Sequence, residues 1–520
     1  MKKRFNITGT CFPEQHYLMD NSQKLAAIFE LIESGAYFTI NRPRQYGKTT
    51  SMIWLAKKLS KTEIYLPIEL SFQGLDAQWY ESDKKFAEMF IRQIIKSLKY
   101  THSTLTNFLS ESIAKISDLQ ELSELITEFI HKINRKVVLF IDEVDASSNY
   151  EPFLKLLSML RTKYLQRDRP SDATFHSIVL AGVHDIKSLK FKLRNPEDAD
   201  YNSPWNIAVD FEVRMSFNPK EIAPMLVEYG EAEGVAMDVP TVAERLYYHT
   251  SGYPFLVSKL CLNIQNKVLP KKTERTWTVE DVDAAVRILL DENNTNFDSL
   301  FKNLANHPDM YDLVQRILIE GESIPFNSHN PVIHKAIIYG IFKRNGQIKI
   351  HNRIYEQLIY NYMASVKLTS MRNRDSSPIQ FQTENNGLDF KAVLLKFQQF
   401  MKENHSEKSL DFLEREGRII FLAFLSPILN GQGYAFREVQ TSMEKRLDII
   451  VTHFQHRYII ELKKWYGKEY HKKGLKQLAD YLDIHGVNDG FLVIFDSRKE
   501  KEYQSQEAEV EGKRVFMVWV

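Results

Sequence analysis

Two sets of residues in this chain could do chemistry. The first is Gly47, Lys48 and Thr49 in "INRPRQYGKTT", joined by the adjacent acids Asp142 and Glu143 that close "KVVLFIDEVD". A glycine lets backbone approach a phosphate, a lysine neutralises its charge, and a threonine hydroxyl offers a hard oxygen to Mg²⁺. Carboxylates at the end of an apolar run are costly unless used, so Asp142 would hold Mg²⁺ and Glu143 would polarise a water. The second set is Asp448 in "RLDIIV" with Glu461 and Lys463 in "YIIELKKW". Side chains on a strand alternate, so Glu461 and Lys463 share a face, and a hairpin between the two segments would bring Asp448 to the same edge. Two acids and one ammonium among apolar neighbours suit a divalent cation between the acids.

These residues need elements to carry them. "YFTIN" before the loop and "TTSMIWLAKKL" after it read as strand and helix, the setting a phosphate loop requires. The pattern G-x-x-x-x-G-K-[ST] would put its first glycine at position 42, which is Arg42. Pro43 biases Arg42 towards extended backbone, and Arg42 and Arg44 either frame the loop or add positive charge near the nucleotide. The residues set around an ATP are Arg44, Gln45, Gly47, Lys48, Thr49, Thr50 and Asp142, with Thr49 and Asp142 also on Mg²⁺. Short apolar runs at 36–41, 63–72, 136–142 and 176–183 alternate with helical stretches such as 82–100. That alternation predicts an α/β domain with a mainly parallel sheet buried on both faces. From 301 to 367 the texture becomes helices followed by "IIYGIFKRNGQIKIHN", a hairpin turning at Asn345-Gly346 and read as a winged-helix region. Residues 368–390 read as a polar linker. The last unit, 391–520, runs helix, strand, strand, strand, helix, strand.

Composition bounds the rest. The chain has 520 residues, 43% hydrophobic and 26% charged, with a net charge of +1. Such a chain builds several globular domains and is no polybasic protein, although a local basic groove stays compatible with nucleic acid. Cys11 and Cys261 are its two cysteines. They suggest neither a disulfide framework nor a zinc site, and a reducing cytoplasm suits them. The N-terminal stretch never develops the apolar run a signal peptide needs, and the longest apolar run, Ile419 to Leu429, is too short for a membrane span and carries a proline.

The segments "CFPEQHYLMD", "INRPRQYGKTT", "LFIDEVD", "LAGVHDIKSL", "NSPWNIAVDFEVRMSF" and "TSGYPFLVSKLC" resemble the AAA-like ATPases of the STAND/AAA+ type. The resemblance implies a P-loop ATPase core over 1–235 and a helical lid over 236–300. It implies that His184 or Asp185 senses the γ-phosphate, that Gly252 and Pro254 begin a lid helix, and that Pro13, His16 and Tyr17 lie near the base. Many relatives also lack the first glycine. An arginine acting on the nucleotide of a neighbouring copy would imply an oligomer; Arg161, Arg194 and Arg214 are the candidates.

The order of elements around Asp448, Glu461 and Lys463 resembles the PD-(D/E)xK nuclease superfamily over about 395–520. Here Leu447 stands where the name has proline. The resemblance implies Mg²⁺ on Asp448, Glu461 and the carbonyl of Leu462, with Lys463 positioning the attacking water and stabilising charge. It adds Glu416 as a further acid, with Glu414 as second choice, and Gln477 and Tyr481 on the following helix. Lys464, Lys472 and Lys473, in a basic run with Lys468 and Lys476 and with Trp465, Tyr466 and Tyr470 interleaved, would contact nucleic acid, with DNA favoured over RNA. The expected whole is an ATPase governing a metal-dependent endonuclease, in the setting of defence against foreign DNA. The alternative is a nucleotide-dependent regulatory protein whose nuclease-like domain only binds nucleic acid or a partner.

Overall fold

The computed structural model describes residues 2–183, 205–292, 294–318, 322–370, 381–405, 410–429, 433–438, 448–453, 456–464, 468–496 and 502–520. It divides into two compact units, Met1–Leu300 with His334–Ile341, and Phe301–Ile333 with Phe342–Val520.

The first unit is built on strands β1 (Tyr37–Asn41), β2 (Tyr65–Ser71), β3 (Lys136–Asp142) and β4 (Ser177–Gly182). They lie side by side in the order β1-β4-β3-β2, and each neighbouring pair is parallel. Val137 to Ile141 and Ile178 to Ala181 are fully buried, as in the interior of a parallel sheet covered on both faces, whereas the edge strand β2 exposes Glu69 and Ser71. The helix Lys48–Ser60 follows β1; Asp83–Leu98 and Leu119–His131 precede β3; Glu151–Gln166 leads to β4. Ser82 and Asp118 start two of them by accepting hydrogen bonds from first-turn amides. Strand β4 therefore separates β1, which delivers Lys48, from β3, which ends in Asp142. Beyond β1 a single parallel bridge from Phe38 to Val209 extends the sheet. The chain then forms helices Pro219–Glu233, Val239–Thr250, Pro254–Asn263 and Val279–Leu290, with the two-residue strands β5 (Ala236–Met237) and β6 (Thr276–Trp277) paired between them.

In the second unit, β7 (Phe342–Asn345) and β8 (Gln347–Ile350) pair antiparallel around Gly346, whose φ of +71° suits a glycine turn. A larger sheet contains β9 (Gly433–Glu438), β10 (Asp448–His453), β11 (His456–Lys464), β12 (Asp489–Phe495), β13 (Ser505–Val510) and β14 (Lys513–Trp519). Its order is β13-β14-β12-β11-β10-β9. β9, β10 and β11 pair antiparallel, β11, β12 and β14 parallel, and β13 returns antiparallel on β14. Helices Phe390–His405, Leu410–Leu429 and Lys468–Ile484 accompany this sheet.

Two sequence expectations change here. The C-terminal unit has one more helix and two more strands than its apolar runs announce. Strand β13, "SQEAEV", is polar and largely exposed at the sheet edge, so it carries no apolar signal. The linker expected over 368–390 also shrinks. The helix Arg353–Ser370 takes its beginning, and residues 381–389 are fastened to the strand ends. His453 Nδ1 and His456 Nε2 lie 3.0 Å from the carbonyls of Asn386 and Asn385, and the Leu388 amide donates to the Tyr458 hydroxyl at 2.5 Å.

Candidate functional site

Strand β1 ends in a loop with two left-handed residues, Gln45 (φ +57°) and Gly47 (φ +79°), and Gly47 caps the helix that starts at Lys48. A side chain on Gly47 would meet no protein atom within 4 Å. Its reason is thus backbone conformation, and the space above the loop is open. The first amides of a helix have no intrahelical acceptor, so an anion is favoured at this N-terminus. Lys48 is buried, and its ammonium donates to the carbonyls of Arg42 and Pro43 at 2.9 and 3.0 Å. Burial pushes its pKa down, against the pull of Glu143, Asp145 and Asp142.

The acids of β3 meet this helix. Thr49 Oγ1 donates to Asp142 Oδ2 at 2.5 Å, and Asp142 Oδ1 accepts the Glu143 amide at 2.9 Å. A hydroxyl and a carboxylate side by side are the hard oxygens Mg²⁺ prefers, so the residues fit that ion and a nucleotide phosphate tail. Glu143 is left-handed at φ +55°, ψ +40°, a conformation a non-glycine residue adopts at a cost. Its carboxyl is pushed up by burial first and by Asp142 next, as suits a group that takes a proton.

The other expected loop residues divide. Arg42 turns away from the helix N-terminus: its guanidinium donates to the carbonyls of Asn41, Val213 and Phe211 at 2.8, 2.9 and 3.3 Å and lies 5.0 Å from the centre of the Phe211 ring. It frames the loop. Arg44 is exposed, and its carbonyl accepts the Tyr253 hydroxyl at 2.6 Å. Gln45 Oε1 accepts from Asn296 at 3.0 Å. Thr50 Oγ1 accepts the Cys11 amide at 3.2 Å, tying the N-terminal segment to the helix. In that segment His16 Nδ1 accepts the Phe12 amide at 2.9 Å, and Tyr17, its pKa pushed up to about 12 by burial and by Glu233, donates to Glu233 at 3.3 Å. Gly252 (φ +72°) allows a close crossing: a Cβ there would stand 1.8 Å from the Phe217 carbonyl oxygen. Pro254 then opens its helix as expected. Of the arginine candidates, Arg161 lies on the helix Glu151–Gln166 and Arg214 is exposed near Tyr46. His184, Asp185 and Arg194 lie outside the described residues. Sequence reading missed Asp145, Tyr253 and Asn296; the first stands in plain view in "DEVD", while the other two reach the loop from far along the chain.

In the second unit Asp448 on β10 is the direct cross-strand partner of Glu461 on β11, and Glu438 on β9 is its partner on the other side. Directly paired positions share a sheet face, so three acidic positions stand in one row across the strands, with the side chains of Asp448 and Glu438 outside the described residues. Glu438 was not singled out from sequence. Glu461 is 3% exposed, and Lys463 Nζ lies 3.0 Å from its Oε1. Leu462, between them, is buried and pairs with Val493. Glu416 and Glu414 lie on the helix Leu410–Leu429, Lys472, Lys473 and Gln477 on the helix Lys468–Ile484, and Lys464 ends β11; their side chains are outside the described residues, as are Trp465 and Tyr466 entirely. Lys476 is exposed and pairs with Glu511 at 3.3 Å. The Tyr481 ring packs in the core with Ile450, Ile459, Leu478, Leu482 and Leu492. Among the described residues no three His, Cys, Asp or Glu side chains gather as a metal site, and no helix is long and apolar enough to cross a membrane.

The family of AAA-like domains matches residues 12–361. Similar solved structures include the Walker-type ATPase of Pyrococcus abyssi, 13% identical over 68% of this chain and 99% of that one, with a TM-score of 0.46. The Aeropyrum pernix ORC2 protein is 11% identical over 70% and 99%, TM-score 0.42. The Thermotoga maritima RuvB Holliday junction branch migration motor is 15% identical over 65% and 95%, TM-score 0.32. None of the curated proteins matches the chain.

Proposed function

The chain belongs to the AAA-like domain family, and from that premise we propose that it binds and hydrolyses ATP with Mg²⁺ between β1 and β3. The observation that carries the proposal is the 2.5 Å contact of Thr49 with Asp142, beside a buried Lys48 and a left-handed Glu143. With Mg²⁺ and ATP bound, the ion would neutralise charge on the phosphates; Gly47 and the helix amides would cradle their oxygens, Lys48 would exchange two carbonyls for phosphate charge, Thr49 and Asp142 would hold the ion, and Glu143 would accept a proton from water. His184 and Asp185 are proposed as sensors of the γ-phosphate, and Arg44, Gln45 and Thr50 as residues bordering the nucleotide. Steady-state ATP turnover tests this: Glu143→Gln should abolish turnover while keeping nucleotide bound, and a variant as fast as wild type would overturn it.

The C-terminal unit is proposed to be a Mg²⁺-dependent nuclease of PD-(D/E)xK type, acting on DNA in preference to RNA under nucleotide control. What supports it is the cross-strand pairing of Asp448 with Glu461 and the contact of Glu461 with Lys463. In this reading Asp448, Glu461, the Leu462 carbonyl and Glu416 hold metal, Lys463 orients water, and Lys464, Lys472, Lys473 and Gln477 border the nucleic acid. A cytoplasmic homo-oligomer that destroys foreign DNA is the setting such a pairing suits. The test is cleavage of circular, linear and single-stranded DNA and of RNA with Mg²⁺ or Mn²⁺. Wild-type cleavage lost in Lys463→Ala supports it; a wild type that leaves every substrate intact refutes it.

A further inference from the structure

The acid turn after β3 is fastened to β4 by a residue that the ATPase reading leaves without a role. Asp145 Oδ2 accepts the amide of Val183, the residue just past β4, at 2.5 Å. The same peptide unit faces the other half of the site through its carbonyl, because the Arg42 amide donates to Gly182 O at 3.3 Å. One peptide, Gly182–Val183, thus joins the start of the phosphate loop to the turn that bears Glu143. Gly182 is the socket for this join: a Cβ there would lie 2.9 Å from Asp145 Oδ1 and 2.9 Å from Val144 Cγ2. φ at Gly182 is not in the left-handed region, so close approach, and not backbone freedom, accounts for the glycine.

Glu143 needs such a fastening. Its left-handed conformation persists only where surrounding contacts over-determine it. The turn it begins is closed by Ala146 N–H to Glu143 O at 3.2 Å and Ser147 N–H to Val144 O at 3.1 Å. Val144 is fully buried, and the Ser147 hydroxyl lies 2.6 Å from that of Tyr80. These bonds shape the turn and anchor it towards β2. The Asp145 to Val183 bond ties it by a side chain to the end of β4, the strand lying between the phosphate loop and Glu143.

We propose that Asp145 is a positioning residue for ATP hydrolysis, which through the Gly182–Val183 peptide holds Glu143 in place relative to the phosphate loop, with Gly182 as the obligatory socket. The proposal rests on the ATPase reading. A displacement of about 1 Å in a reacting group costs about 100-fold in rate, whereas the groups that bind phosphate, Lys48 and the helix amides, stay in place.

The test is steady-state ATP turnover together with equilibrium binding of a fluorescent ATP analogue. It uses the full chain as wild type, Glu143→Gln, Asp145→Ala, Asp145→Asn and Gly182→Ala. Asp145→Ala and Gly182→Ala should lower kcat by about 10- to 100-fold with nucleotide Kd within about threefold. Asp145→Asn, whose amide oxygen still accepts the Val183 amide, should keep most of the turnover even if the alanine variants fold poorly. Asp145→Ala at the wild-type rate overturns the proposal. So does Asp145→Asn as slow as Asp145→Ala, which would assign the effect to charge, and so does a loss of affinity that accounts for the lost rate. In all three cases the ATPase reading survives. A wild type no faster than Glu143→Gln removes that reading and the proposal with it.

Discussion

Replacing Arg42 separates framing of the phosphate loop from charge at the nucleotide. The guanidinium donates to three carbonyls, at 2.8, 2.9 and 3.3 Å, and lies 5.0 Å from the Phe211 ring centre. A hydrogen bond from a charged donor contributes about 1.5–3 kcal/mol, a cation–π contact about 0.5–1 kcal/mol at an exposed site. The side chain is only half-buried and its third bond is long, so Arg42→Ala should cost about 2–3 kcal/mol in all. At about 2–4 °C per kcal/mol for domains of this order of size, the first unit's midpoint should fall by about 4–12 °C. Arg42→Lys should recover less than half, since an ammonium lacks the planar fork that reaches several carbonyls. Thermal unfolding followed by tryptophan fluorescence reads the loss, and nucleotide titration below the midpoint should show affinity within about threefold of wild type, because no loop amide has changed. An unchanged midpoint with affinity down more than about tenfold, roughly 1.4 kcal/mol, would refute the framing role and place the charge at the nucleotide.

Three further outcomes follow from the same geometry. Gly252→Ala should destabilise the first unit by more than about 2 kcal/mol, since a left-handed residue costs about 1–2 kcal/mol before the collision with Phe217 is counted; a denaturant midpoint like wild type would contradict the crossing. Burial raises the Glu143 pKa in the folded state above the ordinary 4.5. The stability cost is therefore absent below 4.5 and grows as pH rises through the folded value, so Glu143→Gln should be the more stable protein at pH 7 and equal to wild type at pH 4, checked by unfolding at both pH values. Lys463→Ala leaves a buried Glu461 without its ammonium, and breaking such a pair costs about 3–5 kcal/mol; addition of Mn²⁺ should restore part of the lost midpoint, and Glu461→Gln in the same chain should restore it without metal.

What could be read from sequence followed how locally each feature is determined. Strands β1 to β4 stood out because each is a short, near-continuous apolar run, as burial on both faces demands. The hairpin of β7 and β8 was marked by Asn345-Gly346, a turn whose geometry is local. The pairing of Thr49 with Asp142 was inferable because a strand, a glycine loop and a second acidic strand leave few alternatives. Arg42 was undecidable, since its carbonyl partners at 211 and 213 lie far along the chain. Asp145 was visible as an acid but not as a hook, because its partner is a backbone amide, which no side-chain pattern betrays. Tyr481 shows the converse: one turn after Gln477 on a helix it suited a polar groove, yet its ring completes the apolar face of that helix on the sheet. The docking of residues 381–389 depends on His453, His456 and Tyr458, residues that signal nothing in isolation.

The measurement that bears most directly on the account is equilibrium binding of a fluorescent ATP analogue to the full chain, with and without Mg²⁺, for wild type, Lys48→Ala and Asp142→Ala. The account predicts that Mg²⁺ tightens binding to wild type, that Lys48→Ala loses about 100-fold or more, and that Asp142→Ala binds the free nucleotide but no longer responds to Mg²⁺. Binding to Lys48→Ala as tight as to wild type, or an unaltered Mg²⁺ response in Asp142→Ala, would contradict it.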